Sequence, residues 1–255
     1  MSNTRKHRHP SLISRHSPCA TVGLCIESAN VVGYLNKDVR KNLSQQVCTF
    51  DQIGVAGGAL DIQNLLPVDG EGEAVGDGEA TIQFITDRGK LTTQYSYYLA
   101  KELSQAQTEP GWYDDDEEEA DYSFASGEAF QVSAASALNF IYSGEVNMAE
   151  TDVPFRKNLS FAANIRPTVV DIQDIIPVDD EGDVISDGDI TIQIFSDRGK
   201  IQTQYSYYLA KELSQTQTEP GWYDDDEEYA DKEFAAGEGF KLSAASAGYL
   251  RFPEL

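Results

Sequence analysis

The chain has 255 residues, and 43 acidic against 19 basic side chains give it a formal net charge of −24 at pH 7. Such a polyanion repels phosphate backbones and anionic lipid headgroups, so its composition argues against nucleic-acid binding and against docking on acidic membranes. There is no run of about 18 apolar residues, which predicts that no segment spans a bilayer. Hydrophobic residues make up 40% of the chain, enough for the core of one large domain or two small ones.

The first 29 residues differ in character from the rest. They contain one acid, Glu27, and four basic residues: Arg5, Lys6, Arg8 and Arg15. A short apolar stretch at 19–26 leads to small residues at Ser28–Ala29. This order resembles an atypical signal peptide, with a disordered basic tail and a misassigned start codon as the alternatives. We expect the folded body to begin near Asn30, and we interpret the chain as secreted or bound to the cell envelope, with a cytoplasmic location as the alternative.

An internal repeat dominates the remainder of the sequence. Residues 61–136 return as residues 171–246, with about 53 identities in 76 aligned positions. Identity of this extent indicates duplication of an ancestral domain. We therefore predict an N-terminal segment at 1–29 and two homologous domains at 30–146 and 147–255, whose short connection favours domains that lie against each other.

Alternating apolar and polar residues predict strands in both copies. The clearest strands are Ala80–Asp87 and Ile190–Asp197, each followed by an Asp-Arg-Gly-Lys turn that predicts a β-hairpin. Helix formers at Tyr98–Gln107 and Tyr208–Gln217 leave a short helix and a loop as open alternatives. The pattern predicts an all-β fold in which each copy is an antiparallel β-sandwich or a small barrel. Further strands are predicted at Val31–Val39, Gln45–Phe50, Ala129–Ala134 and Leu138–Val146.

Histidine and cysteine usage limits the chemistry of the two copies. All three histidines, His7, His9 and His16, lie in the N-terminal segment. The repeated domains therefore lack Ser-His-Asp and Cys-His catalytic systems and histidine-ligated metals. Cys48 has Asn164 at its repeat position, so no disulfide or thiolate metal site is common to both copies. We expect Cys48 to be a small buried side chain.

Two acidic segments occur in each copy, 69–73 with 179–183 and 111–121 with 221–231. Alternating acidic side chains can converge on a hard cation. In a dense acidic run, a bound cation reduces the repulsion between carboxylates, so calcium is a candidate ligand of both segments. No EF-hand pattern is complete, and a solvated acidic loop is the alternative in each case. The candidate metal ligands are Asp69, Glu71, Asp114, Asp115, Asp116, Asp179, Glu181, Asp224, Asp225 and Asp226.

The two tryptophans of the chain occupy equivalent positions, and each precedes a tyrosine, in the pairs Trp112–Tyr113 and Trp222–Tyr223. An exposed aromatic pair beside carboxylates can stack on a sugar ring, so these four residues are candidate ligand-binding residues. A tryptophan in the core is the alternative. Neighbouring carboxylates could also act as the acid and base of a glycoside hydrolase, although a run of hydrated acids provides no cleft for a substrate.

Three segments carry a family resemblance: NVVGYLNKDVRKNLS at 30–44, YSGEV at 142–146 and GEGF at 237–240. They resemble uncharacterised secreted bacterial β-sandwich proteins that occur as tandem copies behind a signal peptide. The resemblance covers both copies and implies export and a β-sandwich fold, but it implies no activity, cofactor or functional residue.

The function we expect is that of a non-enzymatic, exported surface or envelope module with an interaction or structural role and a protein or glycan partner. A calcium- or carbohydrate-binding module is the second hypothesis. A carboxylate-dependent glycoside hydrolase is the third.

Overall fold

The structure is a computed structural model that describes residues 32–47, 60–85, 91–99, 109–124, 127–146, 148–185, 188–195, 200–209 and 219–255. This part of the chain is all β apart from two short 3-10 turns, Ile62–Asn64 and Ile172–Asp174, which the sequence reading did not predict. None of its helices is long and apolar enough to cross a membrane. Several predictions lie outside the described residues: the N-terminal segment 1–29, Cys48, the turns at 87–90 and 197–199, and positions 100–107 and 210–217 of the candidate helices.

The described strands of the first half, residues 32–146, form three antiparallel sheets. Their orders are β1-β10-β4, β2-β9-β5-β6-β7 and β3-β8. The strands are β1 (Val32–Val39), β2 (Asn42–Val47), β3 (Leu60–Asp61), β4 (Leu66–Val68), β5 (Ala80–Ile85), β6 (Leu91–Tyr98), β7 (Gly111–Tyr113), β8 (Ser123–Phe124), β9 (Ala129–Ala134) and β10 (Leu138–Glu145).

The second half, residues 148–255, has the sheet orders β11-β20-β14, β12-β19-β15-β16-β17 and β13-β18. These orders match those of the first half strand for strand. No described sheet closes on itself, so the described strands do not form the small barrel that was the alternative to a sandwich. The strands are β11 (Thr151–Phe155), β12 (Asn158–Ala163), β13 (Val170–Asp171), β14 (Ile176–Val178), β15 (Ile190–Phe195), β16 (Ile201–Tyr208), β17 (Gly221–Asp224), β18 (Glu233–Phe234), β19 (Gly239–Ala244) and β20 (Gly248–Phe252).

The predicted hairpin pairing is confirmed in both halves, with β5 against β6 and β15 against β16. The strand predicted at Ala129–Ala134 is confirmed residue for residue. The strand predicted at Gln45–Phe50 begins earlier, at Asn42. All six residues from Asn42 to Val47 pair with β9, so the ladder, rather than the local apolar pattern, sets where this strand begins.

One apolar core in each half joins side chains from its three-stranded and its five-stranded sheet. Burial of a large apolar side chain contributes roughly 1.5–3 kcal/mol, so these cores are the main source of stability. The first core includes Val39, Ile82, Tyr97, Trp112, Phe130, Val132, Leu138 and Phe140. The second core includes Val153, Ile192, Tyr207, Trp222, Phe240, Leu242, Leu250 and Phe252.

The two halves are also in contact, with β2 and β9 facing β12 and β19. Ala129 of the first half and Ala163 of the second half are buried in one small cluster, and Phe161 packs against it. Ala236 of the second half packs against the core of the first. The connection between the halves therefore joins two surfaces that touch.

Candidate functional site

The acidic segments that were candidate metal sites form one recurring hairpin turn. In its first occurrence the Asp69 N–H donates to the Glu73 carbonyl at 2.8 Å, and the Gly72 N–H donates to the Asp69 carbonyl at 3.1 Å. Gly72 has a φ of 88°, so a left-handed residue ends this three-residue hairpin loop, a common connection between antiparallel strands. A bridge between Val68 and Ala74 closes the hairpin.

The same backbone pattern recurs three times, with N···O distances from 2.9 to 3.1 Å, at Asp114–Glu118, Asp179–Asp183 and Asp224–Glu228. The left-handed position is a glycine, Gly182, in one of these turns. In the other two it is a glutamate, Glu117 at φ 61° and Glu227 at φ 58°. A left-handed residue other than glycine costs of order 1–3 kcal/mol, so the surrounding hydrogen bonds have to hold these two turns.

The first aspartate of each turn supplies such hydrogen bonds. Asp69 Oδ1 accepts from the N–H groups of Glu71 at 2.8 Å and Glu73 at 3.0 Å. Asp114, Asp179 and Asp224 accept from the amides two and four residues later, at 2.9–3.0 Å. Aspartate stabilises turns in this way because its short side chain reaches the backbone two residues on. Four of the ten candidate metal ligands are therefore engaged in turn formation.

The other six candidate ligands are exposed, and they are Glu71, Asp115, Asp116, Glu181, Asp225 and Asp226. The Asp225 carboxylate accepts a hydrogen bond from Gln204 Nε2 at 2.8 Å. Within the described residues, no three His, Cys, Asp or Glu side chains lie together in a way that could hold a metal ion. Calcium binding and a solvated loop both stay predictions for these segments.

Both tryptophans lie in the cores, with no exposed surface. Trp112 Nε1 donates to the Leu65 carbonyl at 2.8 Å, and Trp222 Nε1 donates to the Ile175 carbonyl at 2.7 Å. A buried indole offers no face to a sugar ring. The interpretation of Trp112 and Trp222 as an exposed stacking platform is therefore wrong, and the core alternative is correct, because large rings with a satisfied N–H gain most from burial.

The neighbouring tyrosines are buried as well, with Tyr113 at 7% and Tyr223 at 4% exposure. Their hydroxyl groups donate to the backbone carbonyls of Glu109 at 2.9 Å and Glu219 at 2.6 Å. Each ring also packs edge-on against a tyrosine of the preceding strand. Burial raises the pKa of Tyr223 above its ordinary value. The sequence-predicted aromatic pair thus belongs to the structure of its own hairpin in both halves.

A glutamine that the sequence reading missed joins each tryptophan strand to the preceding 3-10 turn. Gln63 Oε1 accepts from the Trp112 N–H at 2.9 Å, and Gln63 Nε2 donates to the carbonyls of Trp112 and Ala120, both at 3.0 Å. Gln173 makes the same three bonds to the second-half hairpin at 2.9–3.0 Å. The available signal was the Asp-Ile-Gln triplet, which is identical in both copies.

The glycine before each tryptophan makes room for this glutamine. A Cβ atom at Gly111 would lie 2.6 Å from Gln63 Oε1, and one at Gly221 would lie 2.6 Å from Gln173 Oε1. Real Cβ atoms do not approach an oxygen so closely. Each residue of the repeated Gly-Trp-Tyr-Asp sequence therefore has a structural role. The glycine leaves space for the glutamine side chain, the tryptophan ring packs in the core, the tyrosine hydroxyl bonds to the backbone, and the aspartate caps the turn.

A polar pair beside this hairpin differs between the halves. In the first half the Tyr122 hydroxyl donates to Glu128 Oε1, and burial, followed by this hydrogen bond, raises the pKa of Tyr122 well above its ordinary value. In the second half Lys232 Nζ donates to Glu238 Oε1 at 2.7 Å. Glu128 and Glu238 are equivalent residues, so a phenol and an ammonium group act as alternative donors to the same acceptor.

Comparison with known proteins gives no match: no protein-family model, no curated protein and no solved structure matches the chain. The resemblance to secreted bacterial β-sandwich proteins therefore stays a prediction.

Proposed function

We propose that the chain is a non-enzymatic, exported surface or envelope module with a structural or interaction role, built from two duplicated β-sandwich domains. The observation that carries this proposal is that the repeated polar and aromatic residues bond to other parts of their own half. Asp69, Gln63 and Trp112, with their second-half counterparts, make the same internal bonds in both halves. Residues whose recurrence would otherwise suggest a pair of active sites are accounted for by the fold.

Two features of the fold support the duplicated sandwich. The sheet orders of the halves correspond strand for strand, which is the outcome expected when one ancestral domain is copied. Each core joins side chains of a three-stranded and a five-stranded antiparallel sheet. Two sheets that share one apolar core are the defining arrangement of a β-sandwich.

Export is the part of the proposal that rests on the N-terminal segment. The full chain is expressed in a bacterial host beside a variant that lacks residues 2–29, cells are fractionated, and the N-terminus of the mature chain is read by mass spectrometry. We expect the full chain in the envelope fraction or the medium, and the truncated chain in the cytoplasm. A full chain that stays in the cytoplasm with residues 1–29 attached contradicts export.

Thermal melts of the full chain in EDTA, in millimolar calcium and in millimolar magnesium distinguish the proposed function from the calcium-binding hypothesis. We expect small and equal responses to the two ions, because both screen the net charge of −24 in the same way. A ligand that binds only the folded state raises the melting temperature by mass action. A calcium-specific rise of several degrees would therefore favour the calcium-binding hypothesis.

A further inference from the structure

The loop that follows β12 contains the two polar side chains that are fully buried within the described residues, Asn164 and Arg166. They flank Ile165, which is also buried. We call residues 164–166 the junction loop. By the alignment of Arg40–Ser44 with Arg156–Ser160, the first copy has Cys48-Thr-Phe at these positions. The polar residues of the junction loop are therefore specific to the second half.

Asn164 fixes the shape of the junction loop. Its Nδ2 donates to the carbonyls of Thr168 at 2.7 Å and Phe234 at 2.9 Å, and its Oδ1 accepts from the Arg166 N–H at 2.8 Å. The Asn164 N–H donates to the Glu238 carbonyl at 3.1 Å. Because buried polar groups are costly when they lose their partners, this set of bonds permits one loop conformation.

Arg166 ties the connection between the halves to the end of the last strand. Its Nη2 donates to the Ala149 carbonyl at 2.7 Å, to the Phe252 carbonyl at 3.1 Å and to the Pro253 carbonyl. Ala149 lies in the connection between the halves, residues 144–154. A backbone bond from the Leu255 N–H to the Met148 carbonyl at 3.0 Å lies beside it. One buried guanidinium thereby holds the start and the end of the second half together.

Ile165 points from this fixed loop onto the first half. A Cβ atom at Gly127 of the first half would lie 2.9 Å from Ile165 Cγ2 and 2.7 Å from both Cγ atoms of Val153. Gly127 also has a φ of 76°. The contact between the halves is therefore so close at this point that it admits no side chain.

We propose that the junction loop is a lock that holds the two halves as one rigid body. Arg166 immobilises the connection, Asn164 immobilises the loop, and Ile165 with Val153 seats the loop on Gly127. Without such a device, two domains on one chain move relative to each other by default. With it, a partner meets one two-lobed surface of fixed geometry rather than two tethered domains. This proposal is independent of the function proposed above.

The first test adds a methyl group at Gly127, the first-half residue of this contact. The full chain, with Cys19, Cys25 and Cys48 replaced by serine, carries spin labels at Ser136→Cys and Ser246→Cys, which are exposed equivalent positions in the two halves. We expect one narrow inter-label distance peak in this background and its loss in Gly127→Ala. The matched control is Gly72→Ala, which imposes the same left-handed strain at φ 88° but has no atom within 4 Å of the added Cβ. The narrow peak should persist there. A narrow peak in Gly127→Ala, or its loss in both variants, overturns the proposal.

The second test removes the lock from the side of the second half and compares Arg166→Met with Arg251→Met. Arg251 is partly exposed and paired with Asp152, so the control loses the same charge outside the junction loop. We expect Arg166→Met to split thermal unfolding into two transitions and to increase the radius of gyration measured by X-ray scattering. The control should keep a single transition. If Arg166→Met lowers one melting temperature and leaves the scattering unchanged, Arg166 only stabilises the second half and the proposal fails.

Discussion

The two halves agree bond for bond around their tryptophans and disagree at the neighbouring polar pair. Gln63 and Gln173 make the same three hydrogen bonds. At the pair, Tyr122 in the first half is replaced by Lys232 in the second, whose ammonium group also lies 4.7 Å from the centre of the Phe234 ring. The hydrogen bonds to the hairpin backbone are the same in both halves, whereas the position opposite the glutamate holds a phenol in one half and an ammonium group in the other.

A second difference lies at the end of the acidic turn. Position 119 is a glutamate in the first half, while the equivalent Tyr229 packs edge-on against Tyr223 with ring centres 5.3 Å apart. Tyr229 is still 51% exposed. The hairpin backbone is the same in both cases, so this position belongs to the surface and is free to differ.

The largest effects should come from the tryptophans, and they should be equal in the two halves. Trp112→Ala and Trp222→Ala each create a core cavity and leave one carbonyl without its indole donor, which costs about 3–5 kcal/mol. Each variant retains a single tryptophan in the opposite half as a fluorescent reporter. Urea unfolding followed by circular dichroism and by that fluorescence measures the cost. Costs that differ between the variants by several kcal/mol would contradict the equivalence of the two cores.

The glutamine bridges should come next. Gln63→Ala and Gln173→Ala each remove three hydrogen bonds to a mostly buried hairpin, at about 1 kcal/mol per bond, or about 3 kcal/mol in total. Urea unfolding again provides the measurement. Gln83→Ala is the control, because Gln83 makes a side-chain bond to Gln94 at 2.8 Å on the partly exposed face of the sheet. If Gln63→Ala and Gln83→Ala lower the free energy of unfolding equally, the glutamine bridge stabilises the fold no more than a single side-chain bond on the sheet surface does.

The polar pair that differs between the halves predicts a dependence on alkaline pH. Tyr122→Phe should cost about 1 kcal/mol at pH 8 through the lost bond to Glu128. Because the pKa of Tyr122 is raised in the folded chain, its contribution is full below the unfolded pKa of about 10 and is lost as the pH rises above it. The deficit of the variant should therefore shrink between pH 8 and pH 11 in urea unfolding.

Tyr122→Lys sharpens the same comparison by building the second-half pair into the first half. We expect it to recover part of the stability that Tyr122→Phe loses at pH 8, because the ammonium group can donate to Glu128. A Tyr122→Lys variant less stable than Tyr122→Phe at pH 8 would mean that the two halves differ in more than the identity of the donor.

The smallest effect should come from an ion pair of the second half. Arg251 Nε lies 2.8 Å from Asp152 Oδ1 and Arg251 Nη2 lies 2.9 Å from Asp152 Oδ2, while the corresponding strand position of the first half is Ile141. Ion pairs at the surface contribute little to stability, so Arg251→Met should lower the free energy of unfolding at pH 7 by less than any of the variants above.

Acid titration tests the origin of that effect. The hydrogen bond from Arg251 holds the pKa of Asp152 below its ordinary value. The contribution of the pair is then present above the unfolded pKa of about 3.9 and is lost as the pH falls through the lower folded value. The free energies of unfolding of the wild-type chain and of Arg251→Met should therefore converge as the pH falls below the unfolded pKa of about 3.9. A constant difference from pH 7 to pH 3 would exclude the ion pair as its cause.

Local patterns in the sequence predict much of this fold. The alternation in Ala80–Asp87 predicts β5 and its hairpin, because a half-buried strand requires that period. The glycines and acids of residues 69–73 predict a turn, because Gly72 can take a positive φ and Asp69 can cap the backbone. The same segment also left calcium as an alternative, since composition alone does not say whether carboxylates converge on a point or follow a turn.

The remaining features depend on contacts between distant residues. Gln63 and Trp112 are 49 positions apart, and no local pattern indicates that a glutamine side chain completes the backbone bonds of a later strand. No local sequence pattern singles out Arg166, and its burial becomes visible only when Ala149 and Phe252 are brought to its guanidinium. The tryptophans left two readings open because both a core and a binding platform favour a large aromatic ring.

The most direct measurement concerns the four turn-forming aspartates: Asp69, Asp114, Asp179 and Asp224. We would melt two fourfold variants of the full chain, all Asp→Asn and all Asp→Ala, in EDTA and in millimolar calcium. Asparagine keeps the Oδ1 acceptor and loses the charge, so its variant should melt close to the wild-type chain. The alanine variant loses about 1 kcal/mol per turn, which lowers the melting temperature by roughly 8–16 °C, with the same response to calcium in all three proteins. An asparagine variant that melts as low as the alanine variant would contradict the assignment of these acids to the turns. So would a calcium-specific stabilisation that the wild-type chain shows and both variants lack.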